Sequence, residues 1–404
     1  MTQANYKESS IQLSISLIFI LALFPSIFKS IIIALFSIVF LYQIYRFKLK
    51  FDWKYFVLNS IIYLLLVISL IYSDDKEFAL KKLETMASLL VFPFLFSFFT
   101  EKSNLLIPLK GYQSFLLYYI FAILLLNFVF FFIFWIGEFS FLDTLYHFPY
   151  LINEKLEGYN IHAIYMSMHI CVAIIFILFL LMQKNVTKLV PLLIFGLIFL
   201  LMFLLILNKK GPILALIVVV TLYVFSKGTY WHKFSLTISL VFITLLIFIN
   251  PKSRNQFGEL ININNIKNSE INSTNLRFAI YQNAVDCFLE KPLLGYGIGD
   301  SHNALLNVYK KDSETLYEGQ YNTHNQYLSF LLSVGMIGTL IILYSFYLLY
   351  QKAMKKSNYL FLSVFGFYLF VMLFENILQR ENGVIFYSFF ICFLQIVNFQ
   401  DEKL

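Results

Sequence analysis

Long apolar runs separated by short polar connections dominate this chain. A helix crossing the hydrocarbon of a bilayer needs roughly 20 mostly apolar residues. Runs of that kind fall near 11–28, 30–46, 54–72, 85–100, 112–136, 160–182, 188–207, 211–226, 231–250, 324–350, 357–375 and 383–398. The pattern predicts an all-α polytopic membrane protein with about 12 transmembrane helices. Only Pro25 to Lys29 separate the first two runs, and the eighth is short. The one long hydrophilic stretch, 251–323, divides the chain into helices one to nine (1–250) and ten to twelve (324–404). It is expected to be an extracytoplasmic loop with two short helices.

Composition agrees. Of 404 residues, 60% are hydrophobic and 13% charged, and mean hydropathy is +0.76. Soluble domains run at about 45–50% apolar and about 25% charged, so a soluble globular, disordered or nucleic-acid-binding chain is excluded. The 48 Phe and 27 Tyr exceed what one water-soluble core would hide. Cys171, Cys287 and Cys392 are odd in number and far apart, so they build no disulfide framework or CxxC site. No small-residue cleavage site follows the first apolar run, which reads as a retained helix.

Basic residues set the expected orientation. Arg46, Lys48, Lys50 and Lys54 form the densest cluster. Lys102 and Lys110, Lys184 and Lys188, Lys227 and Lys233, and Lys352, Lys355 and Lys356 fall in every second connection after it. With twelve spans, all lie on one face with both termini, and that face should be cytoplasmic. The opposite face receives Asp74–Glu77, a loop 137–159, and 251–323. Lys209, Lys210, Arg277 and Arg380 break the rule by facing outward. Either charge rules tolerate them, or they hold an anionic group there.

Within the outer stretch, an Asn-rich tract (261–275, with an N-x-T triplet at Asn272 treated as chance) reads as a surface loop. Leu276, Ile280, Ala284, Cys287 and Phe288 recur at helical spacing up to Lys291–Pro292. The turn GYGIGD (295–300) and a second helical stretch to about Lys311 follow. Gly295, Gly297 and Gly299 do not form a nucleotide motif, because no Lys–Ser/Thr pair follows them. They are a tight turn, or a backbone surface that lies against a sugar or phosphate.

Several polar residues at span ends are candidates for chemistry. Arg277 opens the first outer helix, where a guanidinium beside free N–H groups favours an anion; otherwise it pairs with Asp286 or Glu290. His324 stands where the loop meets span ten and can act as a base toward a hydroxyl. Asn325 beside it can orient a sugar; both are otherwise interfacial polar residues. His162 holds a similar place on span six, with His169 two turns on. No carboxylate accompanies them at ligand spacing, and neither a metal nor a cofactor is expected. Glu375 at a span end needs a partner, such as Arg380, Lys210 or Arg277.

His324–Asn325, nine residues, Gly335, two residues and Gly338 resemble the signature of the O-antigen ligase family. RFAIYQNAVDCFLEKPLLGYGIG (277–299) resembles that family's outer loop, where an Arg-led helix runs into a Pro-Leu-x-Gly-x-Gly turn. The family's Arg-x-x-x-Leu element reads Lys210-Gly-Pro-Ile-Leu214 here, so Lys replaces Arg. The resemblance covers the twelve-span layout and, in detail, residues 205–340. It implies a bacterial inner-membrane glycosyltransferase of lipopolysaccharide biosynthesis. Such an enzyme moves a glycan from undecaprenyl diphosphate to an acceptor hydroxyl, such as lipid A–core, on the membrane's outer face. Arg277 and Lys210 would bind the diphosphate and stabilise its growing charge, and His324 would orient or deprotonate the acceptor. Direct attack would invert the anomeric centre, with no metal.

O-antigen polymerases share this architecture, so a polymerase that joins lipid-linked repeat units stays open. A flippase for the same lipid-linked sugar is the other class. Transporters are usually built from internal repeats, and no repeat is visible in this chain.

Overall fold

The computed structural model describes residues 3–100, 112–137, 139–159, 161–227, 254, 258 and 273–397. The predicted span 231–250 and the Asn-rich tract up to 272 lie outside them. Among the described residues, all regular elements are helical. The first half holds α1 (Gln3–Phe19), α2 (Ser26–Phe47), α3 (Trp53–Ser69), α4 (Lys76–Thr85), α5 (Ser88–Phe96), α6 (Tyr112–Gly137) and α7 (Phe141–Lys155). Then come α8 (Ala163–Leu181), α9 (Val190–Leu207) and α10 (Lys210–Lys227). The outer stretch contributes α11 (Ser273–Glu290), α12 (Ser301–Asp312) and α13 (Glu314–Glu318). The chain ends with α14 (Gln326–Lys355), α15 (Tyr359–Val371) and α16 (Glu381–Ile396).

A helix falls in every predicted span among the described residues. Five are long and apolar enough to cross a membrane: α2, α6, α8, Thr187–Leu207 (which contains α9) and α14. Shorter apolar helices are α3, the α10 segment, α15 and α16. Helices that are apolar on every side belong inside a bundle. Accordingly α8 and α16 are buried along nearly their whole length. Peripheral helices instead expose apolar rows, such as Leu192, Phe195, Ile198 and Met202 on α9, the surface lipid requires.

Two expected features are revised. The loop 137–159 contains α7, capped by Ser140, whose Oγ accepts from the Asp143 amide at 3.2 Å. Thr144, Phe148, Leu151 and Ile152 form its buried face. A search for 20-residue spans passes over a 15-residue amphipathic helix. The span 85–100 is broken at Met86–Ala87 into the end of α4 and the nine-residue α5.

Hydrogen bonds tie the connections together in two groups. In one, Ser26 Oγ and Lys29 Nζ donate to the Tyr159 carbonyl, and the Asp300 carboxylate accepts from the Asp74 and Asp75 amides. In the other, the Asp52 amide donates to the Ser97 carbonyl and Asn358 Nδ2 to the Leu394 carbonyl. The candidate site belongs to the first group.

Candidate functional site

The outer helix is joined to the bundle by an exchange of hydrogen bonds. At Gly335, α14 leaves helical geometry (φ 64°, ψ −170°). The amides of Met336 and Ile337 donate to the Pro292 and Leu293 carbonyls, at 2.8 and 3.3 Å. The Leu332 and Ser333 carbonyls, freed from them, accept from the Tyr296 and Gly297 amides at 2.8 and 3.0 Å. A broken helix is stable when its freed groups find new partners. A Cβ on Gly335 would lie 2.2 Å from the Leu293 oxygen, so only glycine fits. This junction fixes α11, which carries Arg277, against the first turns of α14.

The turn that starts α14 is tied to the segment after α15. The Gln326 amide donates to the Met372 carbonyl (2.8 Å), and its side-chain oxygen accepts from the Leu378 amide (3.0 Å). Gln379 Nε2 donates to Ser329 Oγ at 2.7 Å, and Thr323 and Asn376 side chains bond to each other. Each amide satisfies a group that would otherwise be buried without a partner. Together they bring His324 to Glu375, with Nδ1 3.4 Å from Oε2. The side chains are 26% and 12% exposed, so the pair opens to the surface through the imidazole.

His324 has φ +42°, a left-handed backbone uncommon for a residue with a side chain. Its amide donates to Asn322 Oδ1 (2.9 Å), and its carbonyl accepts from Tyr281 Oη (3.2 Å), which also donates to the Leu373 carbonyl (3.0 Å). Tyr281 therefore ties α11 to both turns. Burial pushes the Glu375 carboxyl upward, but the hydrogen bond and charge of His324, the charge of Arg277 and the Asn376 amide outweigh it. The net result lies below the usual carboxylate range.

The predicted cations lie on the elements around this pair. Arg277 is close enough to act electrostatically on Glu375 and Tyr281. Helix α11 is described over Ser273–Glu290, and Arg277 is the fifth residue of that stretch rather than its first. A left-handed residue, Asn208, reverses the chain between α9 and α10. Lys210 then donates to Thr274 Oγ1 at 3.3 Å, and Gly211 packs on Phe374, next to Glu375. His162, the N-cap residue of α8, is held below its ordinary value by desolvation and by Lys209; Glu375 opposes this, while Arg380 and His324 add to it. Thus His324, Glu375, Arg277, Lys209, His162 and Arg380 share one electrostatic neighbourhood, and Lys210 contacts the first turn of the helix that carries Arg277.

Four predicted residues have local partners. Asn325 Oδ1 caps α14, accepting from the Tyr327 and Leu328 amides at 2.9 and 3.2 Å. Gly295 and Gly297 have positive φ and press on α14 and α3. The amides of 296–299, which a phosphate would need, bond to α14 carbonyls and to Ser69 and Ser73 hydroxyls. His169 is buried with Nδ1 2.8 Å from Tyr119 Oη.

Residues unanticipated from sequence are Tyr281, Thr274, the amides Gln326, Asn376 and Gln379, and Lys29. Lys29 is fully buried and donates to Asn382 Oδ1 in the first turn of α16. The available signal was amide and Lys side chains at the ends of apolar runs, where a polar group needs a partner.

No curated protein matches the chain. The family described as O-antigen ligase matches residues 195–343. That stretch holds Lys209, Lys210, Arg277, His324 and Gly335, whereas His162, Glu375 and Arg380 lie outside it. The resemblance read from the His–Gly spacing is borne out by this match, which makes residues 195–343 similar to the O-antigen ligase family.

Proposed function

We propose that the protein is a membrane glycosyltransferase that moves a glycan from undecaprenyl diphosphate to an acceptor hydroxyl, on lipid A–core or a similar glycan. The reaction takes place at the outer face of the bacterial inner membrane, with both termini cytoplasmic and 251–323 periplasmic. The observation that carries this reading is the His324–Glu375 pair with Arg277 acting on it and Lys209 acting on neighbouring His162, in a chain similar to the O-antigen ligase family over residues 195–343.

Each group has a task in that reaction. The Glu375 carboxylate fixes the imidazole through Nδ1 and stabilises it once protonated, leaving Nε2 to take the acceptor hydroxyl's proton. The oxygen attacks the anomeric carbon, and the bond to the diphosphate breaks with inversion. Arg277 and Lys210 neutralise the charge that grows on the leaving diphosphate. Two cations at this place remove the need for a divalent ion. Lys210 acts as a point charge, where the family's Arg would bind two oxygens.

The test is transfer by purified protein supplied with undecaprenyl-diphosphate-linked glycan, with and without lipid A–core acceptor. Acceptor-dependent product that is lost in His324→Ala supports a ligase. Longer lipid-linked chains without acceptor identify a polymerase on the same scaffold. No transfer in either arm rules the reading out.

A further inference from the structure

We propose that α11 and the turn after it rest against membrane lipid, so that the helix carrying Arg277 is an interfacial element rather than part of a water-surrounded loop. Helix α11 has two faces. Ile280, Ala284 and Cys287 are buried in a small core shared with α12 and Leu332. On the far side Phe278, Val285 and Leu289 are exposed at 41%, 43% and 62%. Their spacing of seven and four residues places them in one row along the helix. The row continues past the end of α11 into Leu293 and Leu294, also more than half exposed. Exposed Gln282 interrupts the row between Phe278 and Val285, but from Val285 through Leu289 to Leu293 and Leu294 it is large and apolar, which a solvated helix does not ordinarily present.

The course of the row says what covers it. The Leu293 carbonyl accepts from the Ile337 amide, and the Pro292 carbonyl from Met336. Met336, Ile337 and Leu340 are themselves exposed and apolar. They belong to α14, a helix long and apolar enough to cross a membrane. The row on α11 therefore runs directly into the lipid-facing side of a spanning helix. Asp286 sits one residue from Val285, about 100° around the helix, on the flank that turns toward head groups and water. Glu290 on that flank accepts from Tyr296 Oη at 2.9 Å. An apolar face beside a charged flank is the pattern of a helix lying at a bilayer surface. Lipid contact would hold Arg277 at the depth of phosphate groups, and it stands whatever the substrate proves to be.

Nitroxide scanning tests it. Cys171, Cys287 and Cys392 are all buried, so a thiol reagent labels an introduced surface cysteine selectively. Full-length Val285→Cys, Leu289→Cys, Asp286→Cys and Leu340→Cys proteins would be placed in phosphatidylethanolamine–phosphatidylglycerol vesicles. Power saturation would then be read with oxygen, which concentrates in lipid, and with a nickel chelate, which stays in water. Labels at 285 and 289 should match the lipid reference at 340, several-fold more accessible to oxygen than to nickel, while 286 leans toward nickel. If 285 and 289 behave like 286, the helix faces water and the proposal fails. It also fails if neither reagent reaches them, because a protein surface then covers the row.

Discussion

His324 Nδ1 faces Glu375 Oε2 at 3.4 Å, joining the first residues before α14 to the segment after α15. The two residues are 51 apart in sequence, and the turns that carry them share hydrogen bonds through Gln326, Thr323 and Asn376. If Glu375 works through the imidazole, the two act as a unit and their losses do not add. His324→Ala should lower transfer by about 10²–10⁴-fold, the usual contribution of a general base. Glu375→Gln, similar in shape but uncharged, should lower turnover with little change in donor KM. The double variant should be no worse than His324→Ala. Additive losses in steady-state transfer would separate the two residues.

Gly335 gives a sharper structural test. Gly335→Ala adds a Cβ 2.2 Å from the Leu293 oxygen, at a φ of 64°. Strained backbone of this kind costs about 1–3 kcal/mol, and the clash adds to it. The expected result is a lower thermal midpoint in detergent and weakened transfer, because the junction that fixes α11 opens. Gly366→Ala, where the nearest atom is 3.6 Å away, is the control and should behave as wild type.

How far these relationships were legible from the sequence depends on the interaction that makes them. The helices follow from apolar run length, and α11 follows from spacing at Ile280, Ala284 and Cys287. The sharing of one end by His162, Lys209, Arg277 and Arg380 follows from alternation of the connections. The partner of Glu375 did not follow, because Arg380, Lys210 and Arg277 were equally plausible from sequence and the turns' hydrogen bonds chose His324. Helix α7 was missed because its signal is amphipathic and shorter than a span. The glycine turn shows the opposite difficulty: its positive-φ residues were visible, but not that its amides bond to α14 and α3.

The cations should separate by role. Arg277→Ala should weaken donor use by about ten- to a hundredfold, the scale of a lost charge-assisted contact of about 1.5–3 kcal/mol. Arg277→Lys should recover part of this, because a point charge cannot grip two oxygens at once. Lys210→Arg should keep or improve donor KM, whereas Lys210→Ala should raise it. Donor titrations of all four variants would show whether Arg277 or Lys210 carries the leaving-group charge.

Acid stability offers a test without substrate. Burial alone would raise the Glu375 carboxyl, but His324, Arg277 and the Asn376 amide together bring it below its ordinary value. A carboxyl with a lower value in the folded state binds fewer protons there than in the unfolded chain. Its contribution is therefore complete above the unfolded value of about 4.3, and it is lost as pH falls through the folded one. Thermal midpoints of wild type and Glu375→Gln should still differ at about pH 5. The gap should then close only as the pH drops through and below the ordinary carboxylate range. A gap that closes already near pH 6 would mean that the carboxyl titrates above its ordinary value, and that burial, rather than His324 and Arg277, sets its charge.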